Sequence, residues 1–309
     1  MFAASLAPRP AAAQLAPTGG HYAAQATDGG GGPNSSGGYG ASIPLDLPGA
    51  QHGLSVPVQV VYNGQGFGTA GVGWDVPLSY IRRDTTIAHR RPKAAADGSP
   101  QARERVSMML GGRAIELVQS GTGWVARRDA PDLVVREQGD GTWVAYDGQS
   151  RTYLFTVADP TLTGANLWLL KSITGTGGSR VQLDYSINSP MVGTVAGIAI
   201  DLTRVSYNPS PSTANCYKNT VVLRYDAPAT TPWSVSVLGD RLMLRMHKLD
   251  GIDVTSRATC ADSEVVLRGY QLQYQADADT QQPRLRSVRV VGQAGTPQNA
   301  TPLPIATYS

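Results

Sequence analysis

Apolar and polar residues alternate along this chain with a period of two. Val72, Trp74, Val76, Leu78 and Tyr80 are separated by Gly73, Asp75, Pro77 and Ser79, the pattern of a strand that buries one face. Pro77 would break a helix but is tolerated in an edge strand. TWVAYDGQSRTYLFTV at 142–157 sets Asp147-Gly148 between two β-rich runs, a hairpin signal. LWLLKSITGTGGSRVQLDYSI at 167–187 repeats the plan with a longer Gly-rich turn. NTVVLRYDA (219–227), DRLMLRMHKLDG (240–251), EVVLRGYQLQYQA (264–276) and PRLRSVRVVG (283–292) continue it. Helical spacing is sustained over eleven residues nowhere. The pattern predicts an all-β chain of successive antiparallel hairpins forming a curved sheet or shell segment, with very little helix. Units ending in Tyr (VQLDYS, VVLRYD, YQLQYQ) recur too irregularly for a propeller or solenoid.

Composition agrees, with 35 Gly and 21 Pro against 16% charged residues. Residues 14–40 are rich in Gly, Ser and Ala and hold few large apolar groups, too few to offset the entropy of ordering. Residues 1–36 are therefore expected to be a leader and linker, and 37–309 a β domain. The small residues at 11–13 read as the tail of a signal peptide whose start lies upstream, with an Ala/Pro-rich leader as the alternative. The final TPLPIATYS runs into what reads as a further extended segment, so the chain is expected to be truncated before more domains.

The net charge of +3, from 26 basic and 23 acidic residues, is too balanced for a nucleic-acid surface. The stretch 82–105 holds seven Arg or Lys against three acids and no aromatic residue. It reads as a solvated basic loop, with docking to an acidic partner as the sharper alternative. The longest apolar run, MVGTVAGIAI at 191–200, is far short of the roughly 20 residues that span a bilayer. Cys216 and Cys260 lack metal-ligand spacing. In an exported protein they would pair, and two unrelated surface thiols are the alternative.

Gly66-Phe67-Gly68-Thr69-Ala70-Gly71 spells G-x-G-x-x-G, but a dinucleotide site needs a helix to follow, and an alternating strand follows instead. Its glycines are expected to turn the chain after a strand at 58–62, with Trp74 as a core anchor. No H-E-x-x-H, G-x-S-x-G or P-loop lysine occurs, and His21, His52, His89 and His247 are scattered. No catalytic residue, cofactor site or metal site is nominated. Trp74, Trp124, Trp143, Trp168 and Trp233 each lie in or beside a strand signal, where core packing is the plain expectation and a sugar-stacking platform the functional one.

Residues 37–83 resemble the opening of SpvB-type virulence proteins and of the B component of Tc insecticidal toxin complexes. The matching residues are Ile43-Pro44-Leu45, Leu47-Pro48-Gly49, Gly53-Leu54, Pro57, Tyr62, Gly71-Val72-Gly73-Trp74 and Ile81-Arg82. The middle is similar to Rhs/YD-type units, and the last forty residues resemble the segment before a β-propeller insertion. Two positions depart from the pattern: Pro48-Gly49 stands for a double proline, and Asn63-Gly64 for a serine. The resemblance implies a secreted, non-enzymatic shell module that encloses or delivers a toxic cargo. Its partners would be other domains of the same chain, a toxin-complex subunit or a host-cell surface, with catalysis elsewhere. No E-x-E segment of a transferase is present. An exported adhesin or carbohydrate-binding module is the alternative.

Overall fold

The structure is a computed structural model that describes residues 32–33, 39–84, 93–94, 100–101, 105–128, 130–158, 166–238 and 241–308. Apart from Gly32 and Pro33, the expected leader at 1–36, with His21, lies outside the described residues, as do His89 and most of the basic loop.

The first strands, β1 (Gly32–Pro33), β2 (Tyr39–Ile43), β3 (Val60–Gly68) and β4 (Gly71–Asp75), form a small antiparallel sheet in chain order. β5 (Tyr80–Asp84) leaves it. A two-residue ladder of β6 (Lys93–Ala94) and β7 (Pro100–Gln101) follows. Next come β8 (Arg105–Leu110), β9 (Arg113–Ser120), β10 (Gly123–Ala126), β11 (Val134–Glu137), β12 (Trp143–Tyr146), β13 (Thr152–Val157) and β14 (Leu167–Thr174). Each of these pairs antiparallel with the next, and β14 pairs back onto β5 through Trp168↔Ile81, closing an eight-stranded barrel. Eight strands enclose a space that side chains can fill. Alternate positions do so: Ile81, Val106, Met108, Val135, Trp143, Phe155 and Leu170 are at most 1% exposed.

The chain continues as β15 (Arg180–Asn188), β16 (Met191–Val192), β17 (Val195–Pro209), β18 (Tyr217–Tyr225), β19 (Ser234–Leu238), β20 (Arg241–Arg245), β21 (Leu249–Ser256), β22 (Val265–Ala276) and β23 (Pro283–Gly292). A four-residue helix, α1 (Pro297–Ala300), precedes the last strand, β24 (Leu303–Thr307). Starting from β14, a large antiparallel sheet runs β15, β17, β18, β21, β22, β23, β24. The β19–β20 hairpin joins its side by a short parallel contact, Gly197↔Leu242 and Ile198↔Met243.

The chain is all-β, and its hairpins follow one another as the alternation predicts, the earlier ones in the closed barrel and the later ones in the large sheet. The strand β14 divides them. Its residues 168–174 pair along one edge with β13, while on the other edge 167–169 pair with β5 and 172–174 with β15. Two expectations change in detail. DRLMLRMHKLDG holds two strands with 246–248 between them, and the alternating run 72–80 is interrupted at 76–79. There Pro77 has no N–H to give to a ladder, and the Ser79 carbonyl accepts from the Leu170 N–H at 3.0 Å. The hairpin expected at 142–157 forms, closed by a five-residue loop at 147–151. Buried Asp147 shapes it by accepting from the Gln149 N–H at 2.8 Å and the Tyr153 hydroxyl at 3.0 Å.

Cys216, between β17 and β18, is bonded to Cys260, between β21 and β22, across a sequence separation of 44. Nearby, Glu264 accepts from Thr255 Oγ1 at 3.0 Å and pairs with Arg204 and Arg257. Burial works against its charge, but these bonds and the Arg204 charge outweigh burial and hold its carboxyl below the usual range. Closing a loop of this length restricts the unfolded chain by about 4 kcal/mol on the chain-entropy model. Intact-mass spectrometry of protein made in an oxidising compartment should show no free thiol before reduction, and Cys216→Ser/Cys260→Ser should lower unfolding stability by about that amount. Alkylatable thiols in that unreduced protein would refute the bond.

Candidate functional site

Residues 43–82 form a strap that ties the three parts of the fold together, and the residues of the family pattern lie along it. Ile43 and Leu45 are buried in the core. On the large sheet, the Asp46 N–H donates to the Tyr270 hydroxyl at 2.7 Å, and the Asp46 carboxylate pairs with Arg268. Pro44, Pro48 and Pro57 are half-buried and hold the strap extended. Buried Asn208 clasps the next turn. Its Nδ2 donates to the Gly49 carbonyl at 3.0 Å, its Oδ1 accepts from the Gln51 N–H at 2.7 Å, and Nδ2 also reaches Asn219 Oδ1 at 2.7 Å. Gly53, at φ +66°, ends a single 3-10 turn at Gln51–Gly53.

The strap then crosses to the barrel. Leu54 packs over Gly175 and His52 over Gly177, both in the turn between β14 and β15. Pro77 lies against Gly112 in the β8–β9 turn. The small sheet in turn docks on the large one: the Leu249 N–H donates to the Thr69 carbonyl at 2.6 Å, and Arg245 pairs with Asp75 at 3.2 Å. Phe67 stacks on Trp233 with ring centroids 5.6 Å apart. Arg82, half-buried in β5, sits between Leu167 of β14 and Ser107 of β8.

The G-x-G-x-x-G stretch does turn the chain into the next strand, but the strand before it does not end at Tyr62. β3 runs on through Gly68, and the turn falls at Thr69 and Ala70. Residues 63–66 bulge opposite the single residue Gly73, because Tyr62 pairs with Trp74 and Phe67 with Val72. Gly73, at φ +76°, leaves room for the Tyr62 ring, whose Cε2 would lie 2.4 Å from an added Cβ. Gly71, at φ +97°, lets β4 approach β23, where an added Cβ would lie 2.7 Å from the Pro283 carbonyl oxygen. Trp74 is 4% exposed and is flanked by the rings of Tyr62 at 5.4 Å and Tyr308 at 4.6 Å. Beside this stack a cleft of about 660 Å³ opens between β4 and the ends of β22, β23 and β24, with Asp277, Arg284 and Arg286 among its lining.

Trp124, Trp143 and Trp168 are also buried, in contact with one another, and Trp233 is half-buried against Phe67. Four of the five are buried and Trp233 stacks one ring face on Phe67, so core and seam packing is their plain role. The sequence did not single out Asn208 or the pair of buried Asp201 and His247, whose Oδ2 and Nδ1 are 2.7 Å apart. Burial pushes the Asp201 carboxyl up, and the hydrogen bond to His247 opposes that shift. Among the described residues no hydroxyl or thiol bonds to His247, and no group of three or more metal-ligating side chains occurs.

No protein-family model and no curated protein matches the chain. Solved structures share its fold. The N-terminal domain of effector protein SpvB from Salmonella typhimurium superposes with a TM-score of 0.61 at 14% identity, covering 81% of this chain and 98% of that one. A TcdB2-TccC3 structure gives 0.62 at 16%, covering 98% of this chain and 17% of that one. The Tc holotoxin pore of Photorhabdus luminescens gives 0.56 at 14%, covering 82% and 15%. This chain thus spans nearly all of the SpvB domain and about a sixth of the length of the Tc chains. Its fold is that of the proteins its opening residues resemble.

Because Gly73 answers to Tyr62, Gly73→Val should cost about 2 kcal/mol or more in urea unfolding, and Trp74→Ala about 3–5 kcal/mol. Gly139→Ala, with open space around the position, should be nearly neutral. Equal effects at Gly73 and Gly139 would contradict the close-approach role.

Proposed function

We propose that this chain is a non-enzymatic shell or scaffold module of a secreted toxin of the SpvB/Tc-B kind, and that it helps enclose or deliver a toxic cargo carried by other domains or by a toxin-complex subunit. The observation that carries this is the fold likeness to the whole SpvB N-terminal domain, together with where the family-pattern residues go. Ile43, Pro48, Gly53, Tyr62, Gly71, Gly73 and Trp74 lie in the strap and its seams, where they position backbone rather than present reactive groups. A closed barrel fastened to a large sheet suits a wall, since closure removes sheet edges that would otherwise recruit other strands. In this reading the family-pattern residues keep the wall in one piece, and chemistry lies in the cargo.

Limited proteolysis of the full-length protein, alone and with the products of adjacent genes, tests the proposal. A cargo segment should resist protease while this module is intact and become sensitive when Gly73→Val loosens it. Equal cleavage of every other segment with and without the module would overturn the proposal. Glycan-array binding by the isolated chain would favour an adhesin instead.

A further inference from the structure

We propose that the cleft beside Trp74 and the exposed face of β23 together form a docking surface for an acidic polypeptide segment bearing an aromatic side chain. β23 presents Arg284, Arg286 and Arg289, all exposed. Acids are scarce around them. Arg289 pairs across the sheet with Gln271 and Arg284 with Gln275, both neutral. Arg286 Nη1 donates to Gln275 Oε1 at 2.6 Å. The acid of the cleft is Asp277, 3.4 Å from Arg284, but its Oδ1 is taken up by the N–H groups of Asp279 and Thr280 and by the Thr280 hydroxyl. Three arginines against one occupied carboxylate leave a positive strip on a chain whose overall charge is nearly balanced.

Next to that strip the cleft offers about 660 Å³ lined by Tyr62, Val72, Trp74, Leu285 and Tyr308 together with Arg284 and Arg286. That size lies within the range of sites that bury a side chain or small ligand, here with one apolar wall and one polar one. Guanidinium groups at its rim suit carboxylates, which they can grip through paired hydrogen bonds. A nucleic acid fits less well. Trp74 is 4% exposed, with the Tyr62 and Tyr308 rings tilted against it, so there is no row of open ring faces along which successive bases could stack, whereas a single aromatic side chain needs only the cleft's apolar wall. The surface is independent of the proposed shell role, and either can fail alone.

Fluorescence anisotropy with a labelled glutamate–tyrosine copolymer, with polyglutamate and with oligouridylate tests the inference on the purified chain. The copolymer should bind saturably, weaken as salt rises, and outcompete polyglutamate. Arg284→Gln/Arg286→Gln should weaken it about tenfold or more, whereas Arg128→Gln/Arg136→Gln, which removes the same charge from exposed barrel positions, should leave it unchanged. Absence of saturable binding, equal losses in the two double variants, or oligouridylate binding as tight as the copolymer would each overturn the inference.

Discussion

Everything in this fold turns on the way β14 shares one edge between two partners. A strand has two edges, and β14 must bind β13 on one while closing the barrel and starting the large sheet on the other. At the change of partner, the backbone groups of Leu170 fall between ladders, and leaving them unpaired in the core would cost a few kcal/mol. Both are satisfied. The Leu170 N–H reaches the Ser79 carbonyl at 3.0 Å, and the Leu170 carbonyl accepts from the Tyr185 hydroxyl at 2.8 Å. A bulge puts Lys171 at the change, with Nζ bound to the Leu183 carbonyl at 3.2 Å and to Asp184 at 2.6 Å. Burial raises the pKa of the Tyr185 phenol and keeps it a donor.

The strap follows from that arrangement. A barrel and a sheet joined through half of one strand edge would hinge there, and residues 43–82 cross the joint on the outside. They bind Tyr270 and Asn208 on the sheet, pack on the turns at Gly112 and Gly175, and enter the barrel as β5. The glycine-rich sheet adds a second tie through Asp75–Arg245 and through Trp74–Tyr308, which joins the strap to the end of the last strand. Gly71 and Gly73 are needed because backbone and ring approach more closely than a Cβ would allow.

Much of this was legible in the sequence because strand alternation depends only on which face is buried. Strands β12 to β15, β18, β22 and β23 fall where period two places them, and Trp74 is the core anchor that its position in the alternating run implies. Barrel closure was not legible, since it depends on pairing between Trp168 and Ile81, far apart in sequence and alike in pattern to any other strand residues. The bulge at 63–66 was hidden for a related reason. Glycines announce a departure from regular backbone without saying whether it is a turn or a bulge. Asn208 and Asp201 gave no signal, because a buried polar residue looks like a loop residue until its distant partners are known.

The site and the fold are therefore one object: the residues that carry the resemblance are among those that fasten barrel, sheet and strap. The direct test is native-state hydrogen exchange across a urea series. Amides of Leu169, Leu170 and Ser172 in β14, of Leu249 at the docking point, and of Val106 and Leu223 in the two bodies should merge into a single exchange class that opens only with global unfolding. Two separate classes, with barrel amides opening while the large sheet stays protected, would contradict the account.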